Sequence, residues 1–302
     1  MLSRAVDRAR RLLCPQPVLC SALDPAAEAQ LTELSRSLAA FYNGPARARY
    51  FATALTLNAE WPQRFEAHTH LRAAIPNASS IVDLGCGSAH FARHLDDRGG
   101  RYIGVDWSAD QVADNRRRWP QHQFIASSIY NVPLPDAAAD VVVSLYAIEH
   151  CVWPHRMLQE MHRLARLGGL IAILTPPFRA RSYLKSFDYG LTPRPFMEKV
   201  RTASMIDALW HLYHHRIYYP LWLRRRHPSP LAQHRFLIHL NPVVLTADTW
   251  FPDADAVYLS DTVEMLQYLK ALGSETIAHW PSSAYLLMRK TESGAPERQS
   301  TV

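Results

Sequence analysis

The amino-acid sequence predicts an α/β fold with a doubly wound, mostly parallel seven-stranded sheet and a final antiparallel strand. From residue 79 onward, short runs rich in Val, Ile and Leu alternate with helical segments, a rhythm typical of right-handed βαβ units. The last two runs are joined only by a turn at Pro281 and Ser282, and they must be antiparallel because a parallel connection needs about a dozen residues or more. The predicted strands are 80–84, 102–106, 123–126, 140–145, 170–175, 275–279 and 284–289.

A helical preface comes before the first strand. Its apolar residues recur at three- and four-residue steps, which predicts helices over 26–42 and 61–75. The first of these stripes consists of Leu31, Leu34, Leu38 and Phe41. Residues 1–14 are rich in Arg and have no apolar core of the signal-peptide type, so we favour a short surface helix there and keep an organelle presequence as the alternative.

Two further helices have clear start or stop signals. One is predicted over 154–167, with Pro at its first position and the pair Gly168-Gly169 as its stop, and one over 263–272, ended by Gly273. Between them the strand rhythm is interrupted by a long insertion after the fifth strand. The predicted regions are the helical preface 1–78, the core 79–177, the insertion 178–260, the returning sheet 261–290 and a disordered tail 291–302.

Composition excludes several classes of protein. The 302 residues are 48% hydrophobic and 20% charged, which is typical of a globular chain rather than a fibre or a disordered segment. Four cysteines at scattered positions predict neither a disulfide framework nor a zinc knuckle, so we expect a reducing, cytoplasmic location. No run approaches the roughly 18 apolar residues that would span a bilayer.

The positive charge is concentrated in one segment. Net charge is +6 overall, but residues 178–240 carry 11 Lys and Arg against three acids, a net charge of +8, and the other residues sum to −2. Ten aromatic residues lie between Phe178 and His239. A helix over 205–223 with one aromatic face, broken at Pro220, would be followed by the basic run 224–227. Such a segment binds an anionic small molecule, lies on a membrane or pairs with another subunit; an ordinary lid with a solvated basic face is the alternative.

The strongest site signal is a strand that ends in Asp83 and is followed by two alternate glycines, Gly85 and Gly87. A second strand ends in Asp106, 23 residues later. At this position a carboxylate accepts hydrogen bonds from both hydroxyls of a ribose. A dinucleotide site would need Gly or Ala where His90 stands, and Asp83 would repel a pyrophosphate. S-adenosylmethionine instead carries an ammonium that Asp83 attracts, so the charges favour this cosubstrate over NAD.

These residues resemble the class I S-adenosylmethionine-dependent methyltransferases, type 11, whose first motif is D/E-x-G-x-G-x-G. Here the third glycine of that motif is Ala89. Residues 124–135 resemble the family's G-D-A-x-x-L-P-F segment, 140–144 its fourth strand and 164–169 its L-x-P-G-G turn. The resemblance covers most of 79–175 and returns at 261–290, and it implies a Rossmann-like core and methyltransferase activity.

The resemblance also implies a set of cosubstrate-binding residues. Adenine would rest on Ser128, the Ile129 backbone and the ring of Trp107, with Ser128 in place of the family's usual Asp as a weaker acceptor. Asp106 would hold the ribose and Asp83 the methionine end. The full set is Asp83, Gly85, Cys86, Gly87, Asp106, Trp107, Ser128, Ile129 and Ser144.

Catalytic candidates follow the fourth strand. Methyl transfer is an in-line displacement, so the enzyme mainly positions the acceptor, and Tyr146, Glu149 and His150 would lie near the methyl group in this fold. His150 or Glu149 could take the proton from a hydroxyl, and packing is the alternative role for this pair. We predict no metal, because Tyr146 stands where metal-binding relatives have the first acid of E-x-x-E-H.

Four functions from different classes remain at this point. The favoured one is a methyltransferase acting on a small-molecule, sugar or lipid-linked acceptor, preferably at oxygen, with peripheral membrane contact through 205–227. An RNA methyltransferase and a non-catalytic, methyltransferase-like partner subunit are the alternatives. An NAD-dependent oxidoreductase is disfavoured by His90. Base and glutamine N-methylation is also disfavoured because the run 175–178 follows the fifth strand, and cytosine C5-methylation because Cys151 lacks a Pro-Cys or Thr-Cys context.

Overall fold

The structure is a computed structural model and describes residues 13–44, 66–93, 95, 99–178, 184–226, 235–245 and 253–292. The expected surface helix at the amino terminus and most of the expected tail lie outside these residues, as do the first residues of the helix expected over 61–75. The chain forms two compact units. The sheet unit comprises residues 55–148, 155–176 and 262–302, and the insertion unit comprises 1–54, 149–154 and 177–261.

The sheet unit contains one seven-stranded sheet, which confirms the predicted fold class. Its order is β4-β3-β2-β5-β6-β9-β8; the first five strands are parallel, and β9 runs antiparallel to both neighbours. The strands are β2 (Ser80–Leu84), β3 (Arg101–Asp106), β4 (Gln123–Ala126), β5 (Ala139–Leu145), β6 (Ala165–Leu174), β8 (Ser274–Trp280) and β9 (Tyr285–Lys290).

Helices accompany the sheet, whose central strands are buried on both faces, as expected of parallel strands. Ile81, Val141, Val143 and Leu287 belong to one apolar cluster that extends over strands from the middle of the sheet. The helices of this unit are α2 (Glu66–Ala74), α3 (His90–Arg93), α4 (Ala109–Arg118), α5 (Pro154–Leu164) and α9 (Thr262–Ala271).

The prediction for the end of α5 was wrong. The helix ends at Leu164 rather than at 167, and β6 begins at Ala165, five residues before the predicted strand. The reason is a pairing of Ala165 with Ala139 on β5, with a register shift before Val141. Gly168, with φ +73°, therefore lies inside the extended segment rather than at a helix stop.

In the insertion unit, two strands that lie far apart in the sequence pair with each other. β1 (Leu19–Ser21) and β7 (Leu237–His239) form an antiparallel ribbon that the sequence did not predict. Helix α1 (Glu28–Tyr42) confirms the first predicted stripe, except that Tyr42 rather than Phe41 is fully buried. The remaining helices are α6 (Phe196–Arg201), α7 (Met205–Tyr213), a π-helical turn (His214–Tyr218) and α8 (Tyr219–Arg226).

The predicted break at Pro220 does not occur. Helix α7, the π turn and α8 follow one another without interruption from Met205 to Arg226. A proline ring clashes with the carbonyl four residues earlier in a regular α-helix, and the wider π turn just before Pro220 relaxes that contact. Within the described residues, no helix is both long and apolar enough to cross a membrane. The predicted domain boundaries stay a prediction.

Candidate functional site

The glycine turn after β2 requires glycine for steric reasons. Gly85 has φ +76°, and a Cβ placed there would lie 2.5 Å from the Cβ of Ala147. Gly87 also has a positive φ, +50°. The N–H groups of Gly85 and Cys86 both donate to the Val105 carbonyl oxygen, at 2.9 and 3.0 Å. The turn is therefore fixed to β3 before any ligand binds.

Asp106, at the end of β3, is held by the same turn. Its Oδ2 accepts the Gly87 N–H at 3.0 Å, its Oδ1 accepts the Ser108 N–H at 2.9 Å, and the residue is buried. Burial raises the pKa of Asp106, although hydrogen bonds from backbone N–H groups oppose the shift. Each carboxylate oxygen still has a lone pair for a second donor, so Asp106 has the geometry to accept ligand hydroxyls.

Asn115 locks the turn from the other side. This fully buried amide on α4 donates to the Gly87 carbonyl oxygen at 2.6 Å and accepts from Gln111 Nε2 at 3.0 Å. The sequence analysis missed Asn115, because one polar residue in a helix gives no signal of a partner 28 positions away.

Asp83 is the second buried carboxylate and is only partly satisfied. Its Oδ2 accepts the hydroxyl of Tyr102 at 2.6 Å, and its Oδ1 is buried with no hydrogen-bond partner in the described part of the chain. Burial raises the pKa of Asp83 to about 7; the Tyr102 hydrogen bond opposes the shift and the charge of Asp106 adds to it. A cation placed beside Oδ1 would give that oxygen a partner and would also compensate the buried negative charge. The residues present therefore fit the ammonium of S-adenosylmethionine.

Cys86 lies between these two acids and is buried. Burial, with the charges of Asp106 and Asp83, raises the pKa of the Cys86 thiol well above its usual range. Its Sγ lies close to Gly104, where an added Cβ would approach it to 2.8 Å. Cys86 is thus a neutral packing group within the site.

The residues expected around adenine follow β3 and β4. Trp107 and Ile129 are half-buried, and Ser128 is exposed. Ser128 Oγ already accepts the Tyr130 N–H at 3.2 Å, and the backbone N–H of Ser127 is bonded to the Asp106 carbonyl oxygen at 3.0 Å. The two strand ends are therefore tied together, and an adenine-binding role for this group stays a prediction.

Ser144 and Tyr146 mark the end of β5. Ser144 is fully buried on the strand. Tyr146 has φ +57°, a left-handed conformation that costs a residue other than glycine about 1–3 kcal/mol and clusters at functional sites. Its N–H donates to Leu174 O at 2.7 Å, and its ring meets the buried His68 ring edge-on, with centroids 6.0 Å apart. The surrounding sheet thus holds Tyr146 in a strained conformation.

Glu149 and His150 belong to the insertion unit, whereas the other predicted site residues belong to the sheet unit. The Glu149 side chain is fully buried, and its backbone oxygen accepts the N–H groups of Val257 and Tyr258, each at 2.9 Å. These two bonds anchor Glu149 within the insertion unit.

His150 is surrounded by carboxylates. Its Nδ1 lies 3.2 Å from Asp255 Oδ2, and its Nε2 lies 3.8 Å from Glu149 Oε1. The Tyr42 hydroxyl donates to the same oxygen of Asp255. Burial disfavours protonation, but the charges of Asp255, Glu149 and Asp253 outweigh it and raise the pKa of His150. The carboxylates around His150 favour its protonated form, as they would for a general base.

The same cluster has the composition of a cation site. Ligand atoms of Glu149, His150 and Asp253 all lie within 4.8 Å of one another. Asp253 also forms an ion pair with Lys185 Nζ at 2.8 Å. The absence of a metal from the reaction stays a prediction. Sequence analysis missed Asp253, Asp255 and Tyr42, because they are about 100 residues from His150 and carry no local motif.

Residues 82–173 match the family described as "Methyltransferase domain". A malonyl-[acyl-carrier protein] O-methyltransferase of Pectobacterium atrosepticum is 30% identical over 137 residues, 45% of this chain and 54% of the relative. A probable S-adenosylmethionine-dependent methyltransferase of Mycolicibacterium smegmatis is 32% identical over 116 residues, 38% of this chain and 45% of the relative. The chain spans about half the length of these curated relatives.

A solved structure matches over more of the chain. The 1,6-didemethyltoxoflavin-N1-methyltransferase of Burkholderia thailandensis, with bound 1,6-didemethyltoxoflavin and S-adenosylhomocysteine, superposes with a TM-score of 0.51. The match covers 92% of this chain and 97% of that chain at 15% sequence identity. At this identity the likeness concerns the fold alone.

Proposed function

We propose that the chain is a class I S-adenosylmethionine-dependent methyltransferase of type 11, which the match of residues 82–173 supports. It would methylate an oxygen atom of a small-molecule, sugar or lipid-linked acceptor. The observation that carries the proposal is the pair of buried strand-end carboxylates around a rigid glycine turn. Support for oxygen comes from the relatives named as O-methyltransferases of malonyl-[acyl-carrier protein]. A carrier-linked carboxylate is therefore one acceptor class to test.

Asp83 and Asp106 would divide the recognition of the cosubstrate. Asp106 is already oriented by Gly87 and Ser108, so its remaining lone pairs face no reorganisation cost when they accept ribose hydroxyls. Asp83 has one buried oxygen without a hydrogen-bond partner in the described chain, which suits the ammonium of the methionine end. When bound, S-adenosylmethionine supplies an electrophilic methyl group on a positively charged sulfur.

His150 would serve as the proton acceptor when the acceptor group is a hydroxyl. Asp255 Oδ2 lies 3.2 Å from Nδ1, and its negative charge would stabilise the imidazolium that forms when His150 takes the proton of the acceptor. The Tyr42 hydroxyl fixes Asp255 in turn. For a carboxylate acceptor no proton is removed, so the same chain would need only to position that group.

Calorimetry tests the binding of the cosubstrate, and a methyl-transfer assay tests the choice of oxygen as the acceptor atom. We expect S-adenosylhomocysteine to bind and NAD not to bind. Labelled methyl from S-adenosylmethionine should then appear on oxygen in a panel of carrier-linked carboxylates, sugars and lipids. Failure to bind S-adenosylhomocysteine would overturn the cosubstrate site. Binding with methylation found only on nitrogen or on RNA would overturn the choice of oxygen.

A further inference from the structure

The continuous helical segment from Met205 to Arg226 exposes an unusual amount of apolar surface. Six large aliphatic side chains, which we call the apolar strip, are between 39% and 70% exposed. They are Met205, Ile206, Leu209, Leu212, Ile217 and Leu221. Met197 and Val200 on the neighbouring helix α6 add to the same region at 57% and 38% exposure. Single exposed aliphatic residues are normal, but a contiguous group marks an interaction surface.

The π turn keeps this strip on one face of the helix. In a regular α-helix the face of Leu209 recurs after about 7 and 11 residues. Ile217 and Leu221 stand 8 and 12 residues further on, one position too late in each case. The π turn His214–Tyr218 takes up one extra residue, so both side chains return to the line of Leu209.

The face of the helix opposite the apolar strip packs within the insertion unit. The strip itself is therefore not the face that the helix buries in its core. Ala208, His214, Tyr219 and Leu223 are buried along the helix. His214 Nδ1 accepts the Gly190 N–H at 2.8 Å. These contacts fix the rotation of the helix, and the apolar strip points away from them.

Arginines accompany the strip. Arg216 lies between its two halves, and Arg224, Arg225 and Arg226 end the helix; all four are exposed. None of them forms an ion pair with another residue of the described ranges. These four arginines belong to the segment 178–240, which carries a net charge of +8. An apolar face edged by unpaired arginines complements an anionic lipid surface, because the aliphatic groups enter the acyl boundary while the guanidinium groups reach the headgroups.

We propose that the apolar strip lies in the interface of an anionic membrane, with the helix parallel to the membrane plane. A second copy of the chain fits less well, because two such segments would bring like charges together. The proposal is independent of the proposed function, since membrane binding needs neither the cosubstrate nor an acceptor.

Vesicle cosedimentation of the full chain tests the proposal. We expect binding to vesicles of phosphatidylcholine with phosphatidylserine, and much weaker binding to phosphatidylcholine alone. The double variant Ile206→Glu with Leu209→Glu should reduce partitioning by at least about tenfold, because two exposed apolar side chains no longer enter the membrane. The triple change of Arg224, Arg225 and Arg226 to Gln should weaken binding by about 10- to 100-fold and remove most of its salt dependence.

The matched control carries the same chemistry elsewhere. Leu167 and Ile277 in the sheet unit are 49% and 41% exposed, and their double change to Glu should leave vesicle binding unchanged. The thermal shift caused by S-adenosylhomocysteine, compared with that of the unmodified chain, checks that each variant is folded. Wild-type chain that stays in the supernatant, or Ile206→Glu with Leu209→Glu that sediments as before, overturns the proposal. The proposal is also overturned if the wild type does not bind vesicles and instead forms a dimer in sedimentation velocity that the double Glu variant abolishes.

Discussion

Two places in this chain compensate buried charge in different ways. In the sheet unit, Asp83 and Asp106 are held by neutral donors, and one buried oxygen of Asp83 has no hydrogen-bond partner among the described residues. In the insertion unit, buried Lys199 is paired with Asp207 at 2.9 Å. A carboxylate left without a counter-charge is ready for a cationic ligand, whereas a carboxylate paired within the protein already has its charge compensated and depends on that partner. Buried charge therefore indicates a binding site only where its compensation is incomplete.

The largest expected effect is on the rate of methyl transfer. If a hydroxyl is the acceptor, His150→Ala should lower kcat by about 10² to 10⁴-fold, because the proton acceptor is lost. Asp255→Asn should lower kcat less and shift its pH profile, since the amide no longer stabilises an imidazolium. Steady-state kinetics and calorimetry with S-adenosylhomocysteine measure both changes.

Two controls separate this role from others. Cosubstrate affinity should stay within about threefold in both variants, and Glu149→Gln provides a nearly isosteric change beside the same ring. Full turnover in His150→Ala and Glu149→Gln would leave positioning alone as the mechanism. Turnover that is lost on chelation and restored by a divalent cation would instead make Glu149, His150 and Asp253 metal ligands.

The next effect tests the paired charges of the insertion unit. Lys199 Nζ donates to Asp207 and, at 2.5 Å, to the Tyr189 carbonyl oxygen. Lys199→Met should lower the free energy of unfolding by about 3–5 kcal/mol, because it leaves a buried carboxylate without its cation. Denaturant titration measures the loss.

The double variant Lys199→Met with Asp207→Asn is the control for that loss. It removes both charges and should recover part of the stability. Burial alone would raise the pKa of Asp207, but hydrogen bonds from Thr192, Leu191 and Lys199 hold it below its usual value. A Lys199→Met variant as stable as the wild type would contradict the view that Asp207 depends on Lys199 for its compensation.

Ribose binding should depend on the sheet unit alone. Asp106→Ala should weaken S-adenosylmethionine binding by about 1–3 kcal/mol, or about 5- to 150-fold, because charged hydrogen bonds to two hydroxyls are lost. Asp114→Ala, on the outer side of α4, is the matched control and should change affinity little, since its ion pair with Arg117 is exposed. Equal affinities for Asp106→Ala and the wild type in calorimetry would remove Asp106 from the site.

The smallest effect is a pH dependence. Burial raises the pKa of Asp83 to about 7, so below that pH a cationic ligand must displace a proton. Affinity should fall by up to about tenfold per pH unit below 7 and level off above it. The free energy of unfolding of the ligand-free chain should change in the opposite direction and fall as the pH rises from about 4 to 7. In that interval the folded state holds a proton on Asp83 that the unfolded state has released.

Asp83→Asn tests the assignment of this pH dependence. The variant should show a flat affinity profile in calorimetry across the same interval, with an affinity below the wild-type plateau. A wild-type profile that is already flat, or a variant that keeps the slope, would assign the dependence to another group.

The sequence was most informative where the chemistry is local. The turn from Asp83 to Gly87 and the acid at Asp106 could be found because each follows a strand end at a recognisable spacing. In a parallel sheet those ends meet at one edge, so the position proposed for the cosubstrate site followed from topology. The antiparallel pairing of β8 with β9 was predictable because only a short turn joins the two strands.

Partners brought together by tertiary structure could not be predicted. Asp255 and Tyr42 meet His150 only after the insertion and the amino-terminal helix have packed in the same unit. The ribbon of β1 and β7 joins residues more than 200 positions apart, as in the pairing of Leu19 with His239. The π turn was also invisible, because an apolar repeat of 8 and 12 does not match the period of a regular helix.

The π turn of the insertion unit allows the long helix to hold one residue more than a regular helix would. Removing one residue from 214–218 would return the segment to an ordinary helical period. Leu221 would then stand 11 positions after Leu209 and would remain on the same face of the helix. A single deletion within the π turn would thus keep the arrangement of this surface.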